Sequence, residues 1–138
     1  ALDLADLEKG ETLLDLGCGD GSVLLTAHRE YGATARGVEL ALPVYLLGRL
    51  RLWWAGQPEG VEIRYGNLFS ADLAGADVIF VYGMADGVGR GLGEKLAEEA
   101  PAGSRVVSNR WPLPDREPDR VLEGEEDGAT YPLYLYRF

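Results

Sequence analysis

The 138-residue sequence predicts an α/β domain: a doubly wound, mainly parallel sheet with helices on both faces and an antiparallel strand pair at its C-terminal end. Three observations predict it. Apolar, strand-like runs alternate with helix-compatible segments over most of the length, which implies right-handed βαβ units. Glycines stand at the ends of those segments. One run, ADVIFVYG (residues 76–83), is apolar almost throughout, as in a strand buried on both faces. With no internal repeat or low-complexity segment, residues 1–138 read as one domain.

Taken in order, TLLDLGC (12–18) is short, apolar and glycine-rich at its end, and reads as a buried strand. GSVLLTAHREYG (21–32) places Val23, Leu24 and Ala27 at helical spacing and stops at Gly32. ATARGVEL (33–40) is a second strand. ALPVYLLGRLRLWWAG (41–56) is a second helix, with Pro43 tolerated in its first turn and Gly56 closing it. In this helix Leu46, Leu50, Trp53 and Trp54 are expected to bury one face. VEIRYGN (61–67) alternates as a third strand, and ADVIFVYG is the fourth. A short helix is expected from about Leu92 to Ala100, broken by Pro101. SRVVSNRW (104–111) is the next strand. The prolines of PLPDREP exclude regular structure, and DRVLEGEE and ATYPLYLYRF form a hairpin around Asp127 and Gly128.

Bulk composition narrows the function. The formal net charge is −10, so autonomous nucleic-acid binding is not expected, because the chain lacks the basic footprint that grips a phosphate backbone. Basic protein surfaces are the partners such a charge favours, although solubility alone accounts for it equally well. Cys18 is the only cysteine and His28 the only histidine, which excludes an intrachain disulfide and cysteine- or histidine-rich metal sites. No apolar run approaches the roughly 20 residues of a membrane span, and no signal peptide opens the chain. A soluble, cytoplasmic protein is the expectation. The number of copies in the working molecule stays open.

The chemistry gathers at TLLDLGCGDGSVLL, where Gly17, Gly19 and Gly21 follow the first strand at alternate positions. Such a cluster is entropically costly unless a tight turn or a closely approaching ligand requires it. Ligands of doubly wound sheets bind beyond the carboxyl ends of the strands, where the strand order reverses. A dinucleotide fingerprint spaces its glycines as G-x-G-x-x-G; here the third glycine comes one residue early and Ser22 takes its place. Asp15, a carboxylate inside the strand, would repel a pyrophosphate and attract a sulfonium or an ammonium group.

LLDLGCGDGSV resembles motif I of the seven-strand, Rossmann-like S-adenosyl-L-methionine methyltransferases. The resemblance implies that Gly17, Gly19 and Gly21 let the backbone close over the methionine part of the cofactor. It places Asp15 at the ammonium end, with Cys18 and Asp20 beside the cofactor and Cys18 as a small neighbour rather than a nucleophile. Glu39 ends the second strand 24 positions after Asp15, where a carboxylate can accept both ribose hydroxyls; Leu40 follows it. YGNLF resembles the adenine-contacting segment and adds Asn67 and Leu68. Asn67 stands where many relatives carry Asp, and offers both a donor and an acceptor.

The resemblance narrows further. GVELALPVYLLGRL, KLAEEAPAGSRVVS and VVSNRWPLP, together with motif I, are similar to the small protein-lysine methyltransferases related to the enzymes that methylate the ATP synthase c-subunit and the adenine nucleotide translocase. It implies a protein substrate with an accessible lysine. That group carries a further N-terminal segment over the cofactor; this chain begins just after where it would stand, so an open entrance or a trimmed chain is expected. VYGMADGVGRG has no residue-by-residue counterpart in the group and reads as a mobile loop.

Methyl transfer from a sulfonium to an amine is a direct in-line displacement, so alignment and a site favouring the neutral amine matter more than a strong base. Lysine is mostly protonated at pH 7; desolvation lowers its pKa, whereas a nearby carboxylate raises it. Tyr82, at the end of the fourth strand, is a candidate both for contacting the cofactor and for orienting the amine by its hydroxyl or by the carbonyls of Tyr82 and Gly83; a core aromatic at a strand end is the equal alternative. Asp86 is the candidate for attracting the incoming ammonium, against a solvated loop aspartate. Ser108, Arg110 and Trp111 are candidates for the opposite wall, with packing the stronger expectation for Trp111. His28 is expected to be structural. A methyltransferase for a nucleic-acid base or small molecule, and an inactive cofactor-binding partner subunit, are the alternative functions.

Overall fold

The computed structural model describes residues 5–82, 88–114 and 116–138. Its elements run β1 (Thr12–Leu16), α1 (Ser22–Tyr31), β2 (Thr34–Glu39), α2 (Leu42–Trp54), β3 (Val61–Tyr65), β4 (Val78–Tyr82), α3 (Val88–Glu99), β5 (Arg105–Asn109), β6 (Arg120–Glu126) and β7 (Ala129–Arg137). A one-turn 3-10 helix, Leu68–Ser70, follows β3. The strands form one sheet in the order β3-β2-β1-β4-β5-β7-β6. β1 to β5 are parallel, and β7 lies antiparallel to both β5 and β6. The expected α/β class and its antiparallel C-terminal pair are both present.

Strand alternation divides the core into two layers. Leu13, Ala35, Ile63, Phe80, Val107 and Leu135 pack on one face with Leu24, Leu25 and Ala27 of α1 and Leu52 of α2. Leu14, Leu16, Ile79, Val81, Val106 and Tyr136 pack on the other with Leu92 and Leu96 of α3. β4 is apolar on both faces because both layers cover it: Val78, Ile79 and Val81 are fully buried. Each such side chain contributes about 1.5–3 kcal/mol. The Tyr136 hydroxyl accepts a hydrogen bond from the Leu113 N–H at 2.7 Å, fastening the proline-rich segment to this core.

The strand order reverses around β1, which lies between β2 and β4, and a crevice therefore opens at the carboxyl ends of β1, β2 and β4. The β6–β7 hairpin turns at Asp127 (φ 52°) and Gly128 (φ 80°), both left-handed. Asn109, the last residue of β5, pairs with Leu133, so Ala129–Pro132 and their β6 partners run on past the end of β5. Four residues of strand carry the hairpin about 13 Å beyond that edge.

Three local expectations differ from the structure. β1 ends at Leu16 because Gly17 is left-handed (φ 85°) and leaves the ladder. α3 starts at Val88 rather than Leu92, since the buried Leu92 and Leu96 hold a helix that its glycine-rich first turn would not form alone. In α2 only Gly48 and Leu52 are buried; Leu46, Leu50, Trp53 and Trp54 are exposed, Trp54 at 83%. The helix rests on the sheet through Gly48 and Leu52, and its other large apolar side chains lie on the exposed face.

Candidate active site

Three loops meet at the crevice, and Glu39 joins them. Its Oε1 accepts from the Gly19 N–H and its Oε2 from the Ala41 N–H, both at 2.9 Å. Its carbonyl accepts from the Gly66 N–H at 3.0 Å. One residue at the tip of β2 thus ties down the turn after β1, the entry to α2 and the exit from β3. Each carboxylate oxygen accepts more than one hydrogen bond, so both retain capacity for a further donor.

The glycine turn is fixed from beneath and open above. The Gly17 and Cys18 N–H groups both donate to the Val38 carbonyl, at 2.8 and 3.1 Å. Gly17 and Gly19 are left-handed, and a Cβ at either would meet nothing within 4 Å. Gly21 (φ 79°) is the N-cap of α1, and a Cβ there would strike the Ile63 Cδ1 at 2.8 Å. The side chain of Asp20 accepts from the Ser22 N–H at 3.1 Å and pairs with Arg51 at 3.1 Å. Burial alone would raise its pKa, but Ser22 and the Arg51 guanidinium hold it below the ordinary value.

Asp15 is buried (3% exposed) and its Oδ1 has no hydrogen-bond partner among the described residues. Desolvation, reinforced by the charge of Glu39, raises its pKa from 3.8 to about 7. Cys18 is pushed up to about 12 by burial and by Asp15 and Glu39, so its thiol is inert as a nucleophile. Gly37 makes room for it: a Cβ there would lie 2.7 Å from the Cys18 Sγ. Gly48 brings α2 against the same turn, with its Cβ position 2.9 Å from the Ile63 Cδ1 and 3.3 Å from the Gly19 carbonyl.

On the adenine side of the resemblance, the Asn67 Oδ1 accepts from the Phe69 N–H at 2.9 Å and caps the 3-10 turn that begins with Leu68. That acceptor already has a partner within the loop. Leu40 and Tyr65 are exposed at the same rim, and Leu68 packs partly against the core.

On the opposite side, Tyr82 ends β4 in register with Asn109 of β5. Asp86 and Gly83 lie outside the described residues. The Ser108 hydroxyl donates to the Trp111 carbonyl, and the Arg110 N–H (φ 74°) donates to the Pro132 carbonyl at 2.8 Å. The Arg110 guanidinium stands 4.5 Å from the Tyr131 ring centroid. Trp111 is exposed rather than packed. Asn109 is the residue that sequence reasoning passed over: it is buried (4% exposed) with its Oδ1 unpartnered among the described residues. A polar residue closing an apolar strand was the available signal. His28 is structural, its Nδ1 lying 3.1 Å from the Ala33 carbonyl.

A profile of the ANTKMT methyltransferase domain matches residues 15–120, from the carboxylate of β1 to the start of β6. The chain belongs to this family. The methyltransferase is 29% identical over 136 residues to the protein-lysine N-methyltransferase of Saccharolobus islandicus (strain REY15A), covering 98% of this chain and 84% of that one. It is 36% identical over 123 residues to the adenine nucleotide translocase lysine N-methyltransferase of Mus musculus, covering 88% and 53% respectively. The methyltransferase spans about half the length of that mouse relative and of the vertebrate ATP synthase c-subunit lysine N-methyltransferases it matches. Among solved structures, an RNA methyltransferase from Salinibacter ruber in complex with S-adenosyl-L-homocysteine superposes with a TM-score of 0.85 at 32% identity, covering 99% of this chain and 87% of that one.

The cofactor is S-adenosyl-L-methionine, and the residues present fit it. The glycine turn leaves open backbone where a ligand would pass. A buried carboxylate oxygen without a partner among the described residues suits a cationic group, because a buried charge is unfavourable unless it is paired. The carboxylate of Glu39 has acceptor capacity at the strand tip where a ribose would hang. Among the described residues, no helix is long and apolar enough to cross a membrane.

Proposed function

We propose that this methyltransferase N-methylates lysine side chains of a protein by direct in-line transfer. The observation that carries the reading is the pair of buried acceptors without a partner among the described residues, Asp15 at the end of β1 and Asn109 at the end of β5, on either side of the end of β4. When bound, the cofactor supplies an electrophilic methyl group on a sulfonium. Asp15 holds its ammonium end, the backbone of Gly17, Cys18, Gly19, Asp20 and Gly21 lies along it, and Glu39 accepts from its ribose. Leu40, Asn67 and Leu68 border the adenine.

The acceptor comes in from the side of β4 and β5. The neutral Asn109 Oδ1 accepts one amine N–H and turns the nitrogen lone pair toward the methyl group. A carboxylate in its place would hold the amine protonated. Tyr82 orients the same amine, and Asp86 attracts the lysine ammonium before its proton leaves to solvent. We place the reaction in the cytoplasm, where a lone reduced cysteine such as Cys18 is stable.

Charge supports a protein acceptor. The hairpin that overhangs β5 carries Glu123, Glu125 and Asp127, all exposed, on a chain of net charge −10. Basic protein surfaces are drawn to such an edge and phosphate backbones are repelled. The Salinibacter ruber structure, named an RNA methyltransferase, favours a second reading in which the acceptor is an RNA base. Incubation with methyl-labelled cofactor and either mixed basic proteins or total RNA separates the two. Label on protein, at lysine by mass spectrometry, is expected; label on RNA alone overturns the reading.

A further inference from the structure

The outward face of α2 is apolar where a surface helix is ordinarily polar. At 100° per residue, Leu42, Leu46, Leu47, Leu50, Trp53 and Trp54 fall on one continuous arc opposite the buried Gly48 and Leu52. All six are exposed: Leu50 at 55%, Trp53 at 62% and Trp54 at 83%. A contiguous exposed apolar patch of this kind marks an interaction site. Arg49 and Arg51 stand at the two borders of the arc. Between α2 and α1 the patch deepens into a groove of about 500 Å³, lined by Leu25, Arg29, Leu47, Leu50, Arg51 and Trp54 together with Ala55. Among the described residues, no acidic side chain lines that groove, and none lies within α2.

We infer that this face docks on an anionic lipid surface, with α2 lying in the plane of the interface. The charge pattern selects this occupant. On a chain of net charge −10, α2 carries two arginines and no acid, so the helix itself presents only positive charge to an anionic surface. Both arginines sit at the edge of the apolar arc, where their stems lie along apolar surface and their heads reach phosphates. Arg49 donates to the Tyr45 hydroxyl at 3.2 Å, and Arg51 pairs with Asp20 across a solvent-exposed gap of 3.1 Å. Both contacts are exposed and are readily shared with a headgroup. The tryptophan pair at the C-terminal end of the arc, rings in edge contact at 6.3 Å, has the amphipathic character that settles at a membrane interface. A second copy seated on the same face would set these arginines among their own duplicates with no acid of the arc between them.

Sedimentation with vesicles tests this without relying on the acceptor or on catalysis. The full chain is mixed with vesicles of phosphatidylcholine alone, or of equal parts phosphatidylcholine and phosphatidylglycerol. Binding to the anionic vesicles, weakened by salt, is expected. Leu50→Glu and Trp54→Glu each lower the bound fraction at least about tenfold, as burial of a large apolar side chain at an interface implies, while cofactor affinity stays at the wild-type level. Folded wild-type protein that stays in the supernatant overturns the inference. So does equal binding to both vesicle types, and so does a dimer, seen by light scattering and lost in Leu50→Glu, without vesicle binding.

Discussion

The carboxylate of Glu39 grips the Gly19 N–H at 2.9 Å, linking the tip of β2 to the centre of the glycine turn. With its second oxygen on Ala41 and its carbonyl on Gly66, the residue is a structural clasp as well as the proposed ribose acceptor. Glu39→Ala therefore loses charge-assisted hydrogen bonds of about 1.5–3 kcal/mol. Affinity for S-adenosylhomocysteine is predicted to fall between about tenfold and 150-fold, measured by equilibrium dialysis. Glu39→Gln, which keeps one acceptor oxygen, should fall between wild type and alanine. Unchanged affinity in Glu39→Ala removes the residue from the binding site.

Asp15 makes stability and binding oppose one another. Its folded pKa, about 7, lies above the ordinary 3.8, so the folded state holds this proton more tightly than the unfolded chain. The sign follows: this contribution favours folding fully below pH 3.8, and is lost as pH rises from 3.8 to about 7, by on the order of 4 kcal/mol. Denaturant unfolding of Asp15→Asn across that window should lack this fall and show a protein more stable than wild type at pH 8. Cofactor binding has the opposite trend, because a cation favours the ionised carboxylate. Affinity in the wild type should rise toward pH 7 and flatten above it, with proton release in calorimetry. A wild type and Asp15→Asn with parallel profiles contradict this assignment.

Gly48 keeps α2 close enough to support the turn. A valine there would press on the Ile63 side chain and the Gly19 carbonyl, and overpacking of this kind costs about 1–3 kcal/mol. Gly48→Val is predicted to lower the unfolding midpoint and weaken cofactor binding together. Adding Ile63→Val should recover part of the stability, since the Ile63 Cδ1 is the nearest atom to the new side chain. A variant as stable as wild type shows that α2 moves freely against the turn.

Asn109 separates acceptor handling from cofactor binding. Asn109→Leu fills the same space without an acceptor, so kcat for a lysine substrate should fall at least about tenfold, the loss of one hydrogen bond to a reacting group, while S-adenosylhomocysteine affinity changes less than about twofold. Asn109→Asp should move the rate optimum to higher pH, because a carboxylate there holds the amine protonated. Equal loss of cofactor and acceptor binding in Asn109→Leu points to a packing role alone.

The sequence made the sheet and the cofactor side legible because both depend on short-range signals. Apolar runs reveal strands, and the left-handed turn after Leu16 needs its glycines at Gly17, Gly19 and Gly21. Glu39 was legible as a strand-tip carboxylate, but its bonds to Gly19 and Ala41 were not, since they depend on how the loops fold over one another. The acceptor side was legible only in part. Asn109 becomes notable once strand register places it beside Tyr82 and burial leaves its oxygen without a partner among the described residues. Leu46, Leu50, Trp53 and Trp54 were misread because hydrophobicity says that a face wants covering, not what covers it. Gly48 and Leu52 meet the sheet instead.

The most direct test is calorimetric titration of the folded 138-residue chain with S-adenosylhomocysteine. Saturable binding of one molecule per chain is expected, abolished or strongly weakened when Glu39 and Asp15 are both neutralised. A folded chain that takes up none, or that binds equally well without those two carboxylates, contradicts it.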